Sequence, residues 1–198
     1  VDLGTGNDTL TLAAGAGNTG SIKNVETTVG SSGADTITLG SGTTNASLDL
    51  AGGSDTLTFA NATNSASLGN VETITGGTGT DTLTLSSGLT TDMTVDLGAG
   101  SDTLTLAAGG NTGTMTHVET LVGGSGADTM TIAAAISGAS ADLAAGSDTL
   151  VLDDTVNTMT VSNVETLTGG TSDDTLTLGS ALTTGQQIDL GTGNDKLT

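Results

Sequence analysis

The chain has 198 residues and a formal net charge of −20, because 22 acidic side chains stand against two basic ones, Lys23 and Lys196. This charge excludes nucleic acid as a partner and disfavours an anionic membrane surface, while the lack of cysteine excludes disulfides and zinc-thiolate sites. No apolar stretch is long enough to insert into a membrane. Since Trp and Tyr are absent and Phe occurs once, we expect a narrow core of Leu, Ile and Val.

An internal repeat of about 47 residues runs through the sequence. The box Asp-Leu-Gly or Asp-Leu-Ala recurs at spacings of 47, 47, 46 and 47 residues, beginning at Asp2, Asp49, Asp96, Asp142 and Asp189. The box Asn-Val-Glu-Thr begins at Asn24, Asn70 and Asn163, and His117 replaces its asparagine in the third copy. These spacings predict four repeats and the start of a fifth. We expect residues 1–198 to be a single repetitive segment and an excerpt of a longer chain.

Each repeat contains two glycine-rich turns that end in an aspartate. Residues 76–84 and 123–131 follow the pattern G-G-x-G-x-D-x-U-x at every fixed position. The nine turn aspartates are Asp8, Asp35, Asp55, Asp81, Asp102, Asp128, Asp148, Asp174 and Asp195. Their separations alternate between 26–27 and 20–21 residues. These separations predict one short and one long coil in each repeat, with all nine turns along a single edge.

The residues after each turn aspartate alternate between apolar residues and threonine, as in Thr82, Leu83, Thr84 and Leu85. A period of two predicts a strand with its apolar residues inward. The threonines should then form two outward files on one flat face, and they are Thr9, Thr11, Thr36, Thr38, Thr56, Thr58, Thr82, Thr84, Thr103, Thr105, Thr129, Thr131, Thr175 and Thr177. Two interpretations stay open: threonine as a soluble strand residue, or a face that resembles the ice-binding surface of some antifreeze proteins.

Residues 47–50 and 93–97 alternate in the same way and are predicted to be return strands. In residues 70–74 the apolar positions, Val71 and Ile74, are three apart, which indicates a bend or bulge. Residues 13–20 and 40–46 are typical of loops on the opposite edge. One turn, one loop and two strands in each coil predict an all-β fold. We expect a right-handed parallel β-solenoid, like a β-roll or β-helix, whose 47-residue repeat is made of two coils.

The glycine and aspartate turns resemble the RTX family, the nonapeptide repeats of secreted bacterial proteins. The resemblance implies a calcium-filled β-roll, export by a one-step secretion system and order only in external calcium. Family β-rolls use shorter coils than those predicted here, and they carry the turn on both edges, whereas this sequence predicts it on one. The alternating coils and the Asn-Val-Glu-Thr box are more similar to repeat regions of surface-layer proteins and giant adhesins than to toxin tails.

Calcium takes six to eight hard oxygen ligands from carboxylates and carbonyls. The resemblance implies one ion between adjacent turns, and therefore up to about eight ions. The implied ligand turns contain Gly4, Gly6, Asp8, Gly30, Gly33, Asp35, Gly53, Asp55, Gly76, Gly77, Gly79, Asp81, Gly98, Gly100, Asp102, Gly123, Gly124, Gly126, Asp128, Gly146, Asp148, Gly169, Gly170, Asp174, Gly191, Gly193 and Asp195. The alternative is that these aspartates only cap their own turns.

All four glutamates, Glu26, Glu72, Glu119 and Glu165, lie in the Asn-Val-Glu-Thr box. They are predicted to be hydrogen-bonding or solvated residues at the bend, with a metal ligand or an inter-chain contact as alternatives. His117 is expected at a surface position equivalent to Asn24. The carboxylates recur with the repeat instead of forming one unique cluster, so we expect no enzyme active site.

Together these patterns predict a structural, calcium-binding rod of a secreted bacterial cell-surface protein. A surface layer, an adhesin and an extracellular filament are the assemblies considered. The rod is expected to fold when it binds external calcium and to self-associate end to end or laterally, because its edge strands are open. The alternative is a calcium-folding accessory module of a secreted enzyme or toxin.

Overall fold

A computed structural model describes residues 1–15, 17–91 and 93–198. These residues form 21 β-strands and no helix, so none of their segments is a helix that could cross a membrane. The odd-numbered strands form an 11-stranded sheet and the even-numbered strands a 10-stranded sheet. Neighbouring strands in both sheets are parallel. Each coil therefore gives one strand to each sheet, and the predicted all-β parallel β-solenoid is confirmed.

The strands are short and evenly spaced along the chain. Their bounds are β1 Thr9–Thr11, β2 Thr19–Ile22, β3 Thr27–Ser31, β4 Thr36–Leu39, β5 Ala46–Ala51, β6 Thr56–Thr58, β7 Asn64–Gly69, β8 Thr73–Gly77, β9 Asp81–Leu85, β10 Thr94–Gly98, β11 Thr103–Thr105, β12 Thr112–Thr116, β13 Thr120–Val122, β14 Thr129–Ile132, β15 Ser137–Asp142, β16 Thr149–Val151, β17 Thr158–Ser162, β18 Thr166–Thr168, β19 Thr175–Leu178, β20 Gln187–Asp189 and β21 Lys196–Leu197.

The core is a narrow apolar column between the two sheets. In the 11-stranded sheet the buried side chains of Leu83, Leu104 and Leu121 lie at paired positions on successive coils. The predicted return strands are β5 and β10, and their inward residues Leu48, Leu50, Val95 and Leu97 are buried. Inward leucines from successive coils stack in register, so the column needs no aromatic side chains to fill it.

The register shows how the repeat is divided into coils. Thr82 pairs with Thr103, and Thr103 pairs with Thr120. The number of residues between paired positions of one sheet is therefore larger in one coil and smaller in the next. Each repeat contains five strands, which is half a coil more than the two coils predicted. Successive repeats therefore begin in opposite sheets. The prediction that all nine aspartate turns lie along one edge, with one turn in each coil, is wrong.

The extra strands are those that precede the Asn-Val-Glu-Thr boxes, namely β2, β7, β12 and β17. Small residues weaken their apolar alternation, since Ala66 and Gly113 take the inward positions that pair with Leu83 and Met130. Residues 13–20, predicted to be a loop, thus include the start of β2. The predicted bend in residues 70–74 is confirmed, because β7 ends at Gly69 and β8 begins at Thr73. Asn70 adopts a left-handed φ of 53° at this corner.

Because repeats begin in opposite sheets, the threonine files lie on two faces and not on the single face that was predicted. The 11-stranded sheet contains the Thr-x-Thr pairs that begin at Thr9, Thr82, Thr103 and Thr175. The 10-stranded sheet contains the Thr-x-Thr pairs of strands β4, β6 and β14. In the 10-stranded sheet, threonines of successive strands pair directly, as Thr36 does with Thr56. Each face therefore carries rows of hydroxyl groups.

The solenoid has two edges where the chain passes between sheets. We call the first edge the one at which odd-numbered strands lead into even-numbered strands, and the second edge the opposite one. On the first edge lie Gly30, Gly33, Asp35, Gly53, Asp55, Gly123, Gly124, Gly126, Asp128, Gly146 and Asp148. On the second edge lie Gly4, Gly6, Asp8, Gly76, Gly77, Gly79, Asp81, Gly98, Gly100, Asp102, Gly169, Gly170, Asp174, Gly191, Gly193 and Asp195.

Candidate metal centres

Carboxylates at each edge accept hydrogen bonds from the main chain of the preceding coil. The main-chain N–H of Asn64 donates to Oδ1 of Asp81 at 3.0 Å, and that of Asp81 donates to Oδ1 of Asp102 at 2.7 Å. The N–H of Asp102 then donates to Oε2 of Glu119 at 2.8 Å. One residue from each of four successive coils is thus joined in a row, which we call a ladder. The ladder satisfies main-chain donors that would otherwise be buried without a partner.

Ladders of the same composition, Asn-Asp-Asp-Glu, alternate between the two edges. Two complete ones on the first edge contain Asn18, Asp35, Asp55 and Glu72, and Asn111, Asp128, Asp148 and Glu165. The second edge carries Asn64, Asp81, Asp102 and Glu119, with partial ladders of Asp8 and Glu26 and of Asn157, Asp174 and Asp195. Every turn aspartate predicted from the sequence belongs to a ladder.

The second carboxylate oxygen of most turn aspartates is buried without a hydrogen-bond partner. Within the described part of the chain this holds for Oδ2 of Asp8, Asp55, Asp81, Asp102, Asp148 and Asp174. Asp81 and Asp102 are themselves 0% exposed. In Asp35 and Asp128 the same oxygen accepts the main-chain N–H of Ser31 at 3.1 Å and of Gly124 at 3.2 Å. A buried carboxylate oxygen without a partner is costly, so these turns favour a bound cation.

Main-chain oxygens of the neighbouring coil converge on the same turns. A Cβ built on Gly100 would lie against the carbonyl oxygen of Gly79 and 2.7 Å from Oδ1 of Asp102. A Cβ on Gly146 would meet the carbonyl oxygen of Gly126 and lie 2.5 Å from Oδ1 of Asp148. Calcium is bound by such carboxylate and carbonyl oxygens at 2.3–2.6 Å. Each of these turns therefore brings a carbonyl oxygen and a carboxylate oxygen, two kinds of calcium ligand, close together at a place where a side chain on the glycine would not fit.

The carboxylates are spread along the edges and do not gather in one place. Among residues 1–15, 17–91 and 93–198, no group of three or more His, Cys, Asp or Glu side chains is placed to hold a metal ion. The ladder steps from aspartate to aspartate and from aspartate to glutamate instead join two acidic side chains from adjacent coils. A calcium ion at such a step would take one or two carboxylates and several main-chain carbonyls, which is the donor set that the RTX resemblance implies.

Burial raises the pKa of four ladder aspartates. Burial raises the pKa of Asp55, Asp102 and Asp148, and repulsion from the ladder neighbours on either side adds to it, although a main-chain hydrogen bond opposes the rise. The pKa of Asp81 is raised by burial against the hydrogen bonds from Asn64. For Asp35, burial acts in the same direction, but hydrogen bonds from Asn18 and Ser31 together lower the pKa. Of these five aspartates only Asp35, which accepts hydrogen bonds from both Asn18 and Ser31, has a lowered pKa.

This pattern predicts how the calcium-free chain responds to pH. The folded state holds protons on Asp55, Asp102 and Asp148 above their ordinary pKa of 3.8, so it binds more protons than the unfolded chain there. Stability then rises as pH falls through the folded pKa values. In chelator, we expect circular dichroism to show more β-structure near pH 5 than at pH 7, and in calcium we expect the melting temperature to be higher at pH 7 than near pH 5. A loss of β-structure in chelator from pH 7 to about pH 5 would contradict this prediction.

The structure brings together some predicted turns and separates others. Adjacent coils join Asp35 with Asp55, and Asp81 with Asp102, and the same holds for Asp128 with Asp148 and Asp174 with Asp195. Asp55 and Asp81 lie on opposite edges, although they were predicted to be neighbours along one edge. The glutamates complete the ladders as hydrogen-bond acceptors at the corners, which agrees with the hydrogen-bonding interpretation of the Asn-Val-Glu-Thr box.

The asparagines that begin the ladders are not among the site residues predicted from the sequence. They are Asn18, Asn64, Asn111 and Asn157. Each stands six residues before the start of an Asn-Val-Glu-Thr box, with spacings of 46, 47 and 46 residues. That periodicity was the available signal, but the residues around each asparagine differ between repeats.

A second set of polar pairs joins the two sequence boxes. The side-chain amide of Asn70 donates to Oδ1 of Asp49 at 2.7 Å, and Nδ1 of His117 lies 2.7 Å from Oδ1 of Asp96. His117 and Asn70 have the same left-handed φ of 53°. His117 therefore occupies the exposed position of the box asparagine, as predicted, and replaces its amide donor.

Comparison with known proteins supports the same assignment. A family model described as the RTX calcium-binding nonapeptide repeat matches four copies, at residues 26–43, 69–88, 116–131 and 161–181. Each matched segment lies in a different copy of the long repeat and contains the first aspartate of a ladder. A search of curated proteins and a search of solved structures each found no match. The chain is thus a parallel β-solenoid that carries RTX calcium-binding nonapeptide repeats.

Proposed function

We propose that this solenoid is a structural rod of a secreted bacterial cell-surface protein, such as a surface layer, an adhesin or an extracellular filament. The observation that carries the proposal is the set of buried, unpartnered Oδ2 atoms in the ladders. Two acidic side chains at each such step repel one another, and the chain has a net charge of −20 with only two basic side chains. The charge must therefore be neutralised from outside the chain.

The ladder residues have separate parts in this function. Oδ1 of every turn aspartate after Asp8 accepts a main-chain N–H of the preceding coil, which fixes the spacing of the coils. The unpartnered Oδ2 atoms and the turn carbonyls remain for calcium, which supplies the positive charge that the edges lack. Binding to the folded state alone couples calcium to folding. A chain kept unfolded where calcium is scarce and folded where it is plentiful suits a protein that is exported before it folds.

Self-association of the rods, lateral or end to end, belongs to the same proposal. The outer faces of both sheets carry paired threonines and have few charges, so two rods can approach on these faces. The calcium-folding module of a secreted enzyme or toxin remains the second candidate, because the same ladders would serve it equally well. Light scattering of the calcium-bound rod separates an assembling protein from a monomeric module.

A calcium titration tests the proposed function. Circular dichroism should show a cooperative gain of β-structure as calcium is added to the chelated chain, and small-angle scattering should show a disordered chain become a rod. Magnesium at the same concentration is the control, because it requires a smaller octahedral site and dehydrates reluctantly. Identical spectra and melting curves with calcium and with chelator would overturn the proposal.

A further inference from the structure

Four ladders start with an asparagine whose side-chain amide nitrogen is surrounded by oxygen atoms. Nδ2 of Asn64 donates to the carbonyl oxygens of Ala60 at 3.1 Å and Ala62 at 2.7 Å, and to Oδ1 of Asp81 at 2.7 Å. These acceptors are two carbonyls of its own turn and one carboxylate of the next coil. Asn64 is 0% exposed.

The other three asparagines repeat this arrangement. Nδ2 of Asn111 donates to the carbonyls of Ala107 at 3.0 Å and Gly109 at 2.8 Å, and to Asp128 at 2.8 Å. Nδ2 of Asn157 donates to the corresponding carbonyls, at 3.4 and 2.7 Å, and to Asp174 at 3.2 Å. Nδ2 of Asn18 donates to Asp35 at 2.7 Å, to the carbonyl of Ala13 at 3.1 Å and to Oγ of Ser31 at 3.2 Å. The amide environment is therefore a regular feature of the ladder.

Asparagine and aspartate take equivalent places in the ladder. Oδ1 of Asn64 accepts the main-chain N–H of Thr43 at 3.3 Å, just as Oδ1 of Asp81 accepts the N–H of Asn64. Nδ2 of the asparagine is thus the counterpart of Oδ2 of the aspartate. The asparagine offers two N–H donors at this place and the aspartate offers only an acceptor. Oδ2 of Asp81 and of Asp102 has no partner at all.

We propose that the side-chain amides of Asn18, Asn64, Asn111 and Asn157 stand in for a calcium ion, so that the ladder step from asparagine to aspartate needs no metal. This inference rests on the proposed calcium function. In the described residues there are four such steps, four from aspartate to aspartate and four from aspartate to glutamate. Calcium is confined to the last two kinds, and each of the four ladders that start with an asparagine begins at a step that holds without calcium.

The variant Asn64→Asp tests the inference directly. It replaces the amide donor by an acceptor at a buried position, so the Asn64 step becomes one between two carboxylates. We expect native mass spectrometry to count one additional calcium ion, and the calcium concentration for half-folding to rise several-fold. Asn61→Asp is the matched control, since it adds the same charge in the same turn at an exposed residue, and it should change neither value. An unchanged ion count in Asn64→Asp would overturn the inference.

The reverse variant, Asp102→Asn, keeps the inference testable if Asn64→Asp does not fold. Its amide should replace one calcium ion, so the ion count falls by one while the calcium concentration for half-folding also falls several-fold. Asp154→Asn, at an exposed residue, is its control. A higher calcium requirement in Asp102→Asn than in the unaltered chain would contradict the inference.

The two variants also separate this inference from the proposed function. If the unaltered chain binds no calcium, the proposed function fails, and melting temperatures then test the amides alone. Amide substitution predicts a lower melting temperature for Asn64→Asp and a higher one for Asp102→Asn. Equal melting temperatures for both variants and the unaltered chain would overturn the role of the amides.

Discussion

Replacing Gly76 by alanine is expected to destabilise the solenoid strongly, even in saturating calcium. A Cβ on this residue would meet three main-chain atoms of Leu97 on the next coil, with its C and Cα at 2.7 Å. Main-chain atoms of a paired strand cannot move aside without breaking the sheet register. We expect a loss of about 3 kcal/mol or more, the upper range of overpacking. Thermal unfolding followed by circular dichroism measures it.

The matched control is Gly20→Ala, because a Cβ there meets no atom within 4 Å. Gly30, Gly123 and Gly169 hold the position of Gly76 in the other repeats, and each also lies against the main chain of the next coil. The reason for glycine at this place is therefore close coil stacking. A melting temperature for Gly76→Ala equal to that of Gly20→Ala would refute this explanation.

Truncation of Leu104 to alanine is the second change with a large expected effect. Leu104 is fully buried and lies between Leu83 and Leu121 on successive coils. Removing it leaves a cavity in the narrow column, and core truncations of this kind cost about 2–5 kcal/mol. Denaturant unfolding in calcium should show a loss in that range.

A coil contacts mainly its immediate neighbours, so the damage should be local. Limited proteolysis of Leu104→Ala should cut first near the central coils, whereas the unaltered chain should resist cleavage there. Leu182→Ala is the control, because that side chain is 61% exposed. A loss of stability for Leu104→Ala no larger than that for Leu182→Ala would contradict an apolar column as the main source of stability.

The fold class could be predicted from the sequence because its strongest strands carry their own signal. The alternation of Leu83 and Leu85 with Thr82 and Thr84 fixes which side faces the core, and the long internal repeat requires identical units to stack. The glycine turns likewise indicated where the chain bends and which aspartates lie at the edges. Local pattern and global fold agree in these segments.

The arrangement of coils within the repeat was mispredicted for a physical reason. Strand β7 has Ala66 at an inward position, and β12 has Gly113, so neither shows strong apolar alternation. Both strands form because the neighbouring coils provide parallel partners for their main chain. A strand that forms in this way has only a weak apolar alternation in its own sequence. If such a strand is overlooked in the sequence, the next turn is assigned to the wrong edge.

The aspartates of the site were predictable, but their partners were not. Asp81 and Asp102 stand out in the sequence because glycines precede them. Asn64 follows a turn without glycine, Ala-Asn-Ala-Thr, and is recognised only when the register places it one coil from Asp81. Partners in a ladder are set by coil length, which depends on strands that the sequence shows only weakly.

The positions of calcium ions along the two edges decide whether the ladders are calcium sites. Crystals grown in calcium and measured for its anomalous scattering would locate each ion. The ladders predict ions on both edges, at steps such as Asp81 to Asp102 and Asp102 to Glu119, and none between Asn64 and Asp81. Turns that hold no ion, or ions along one edge only, would contradict this account.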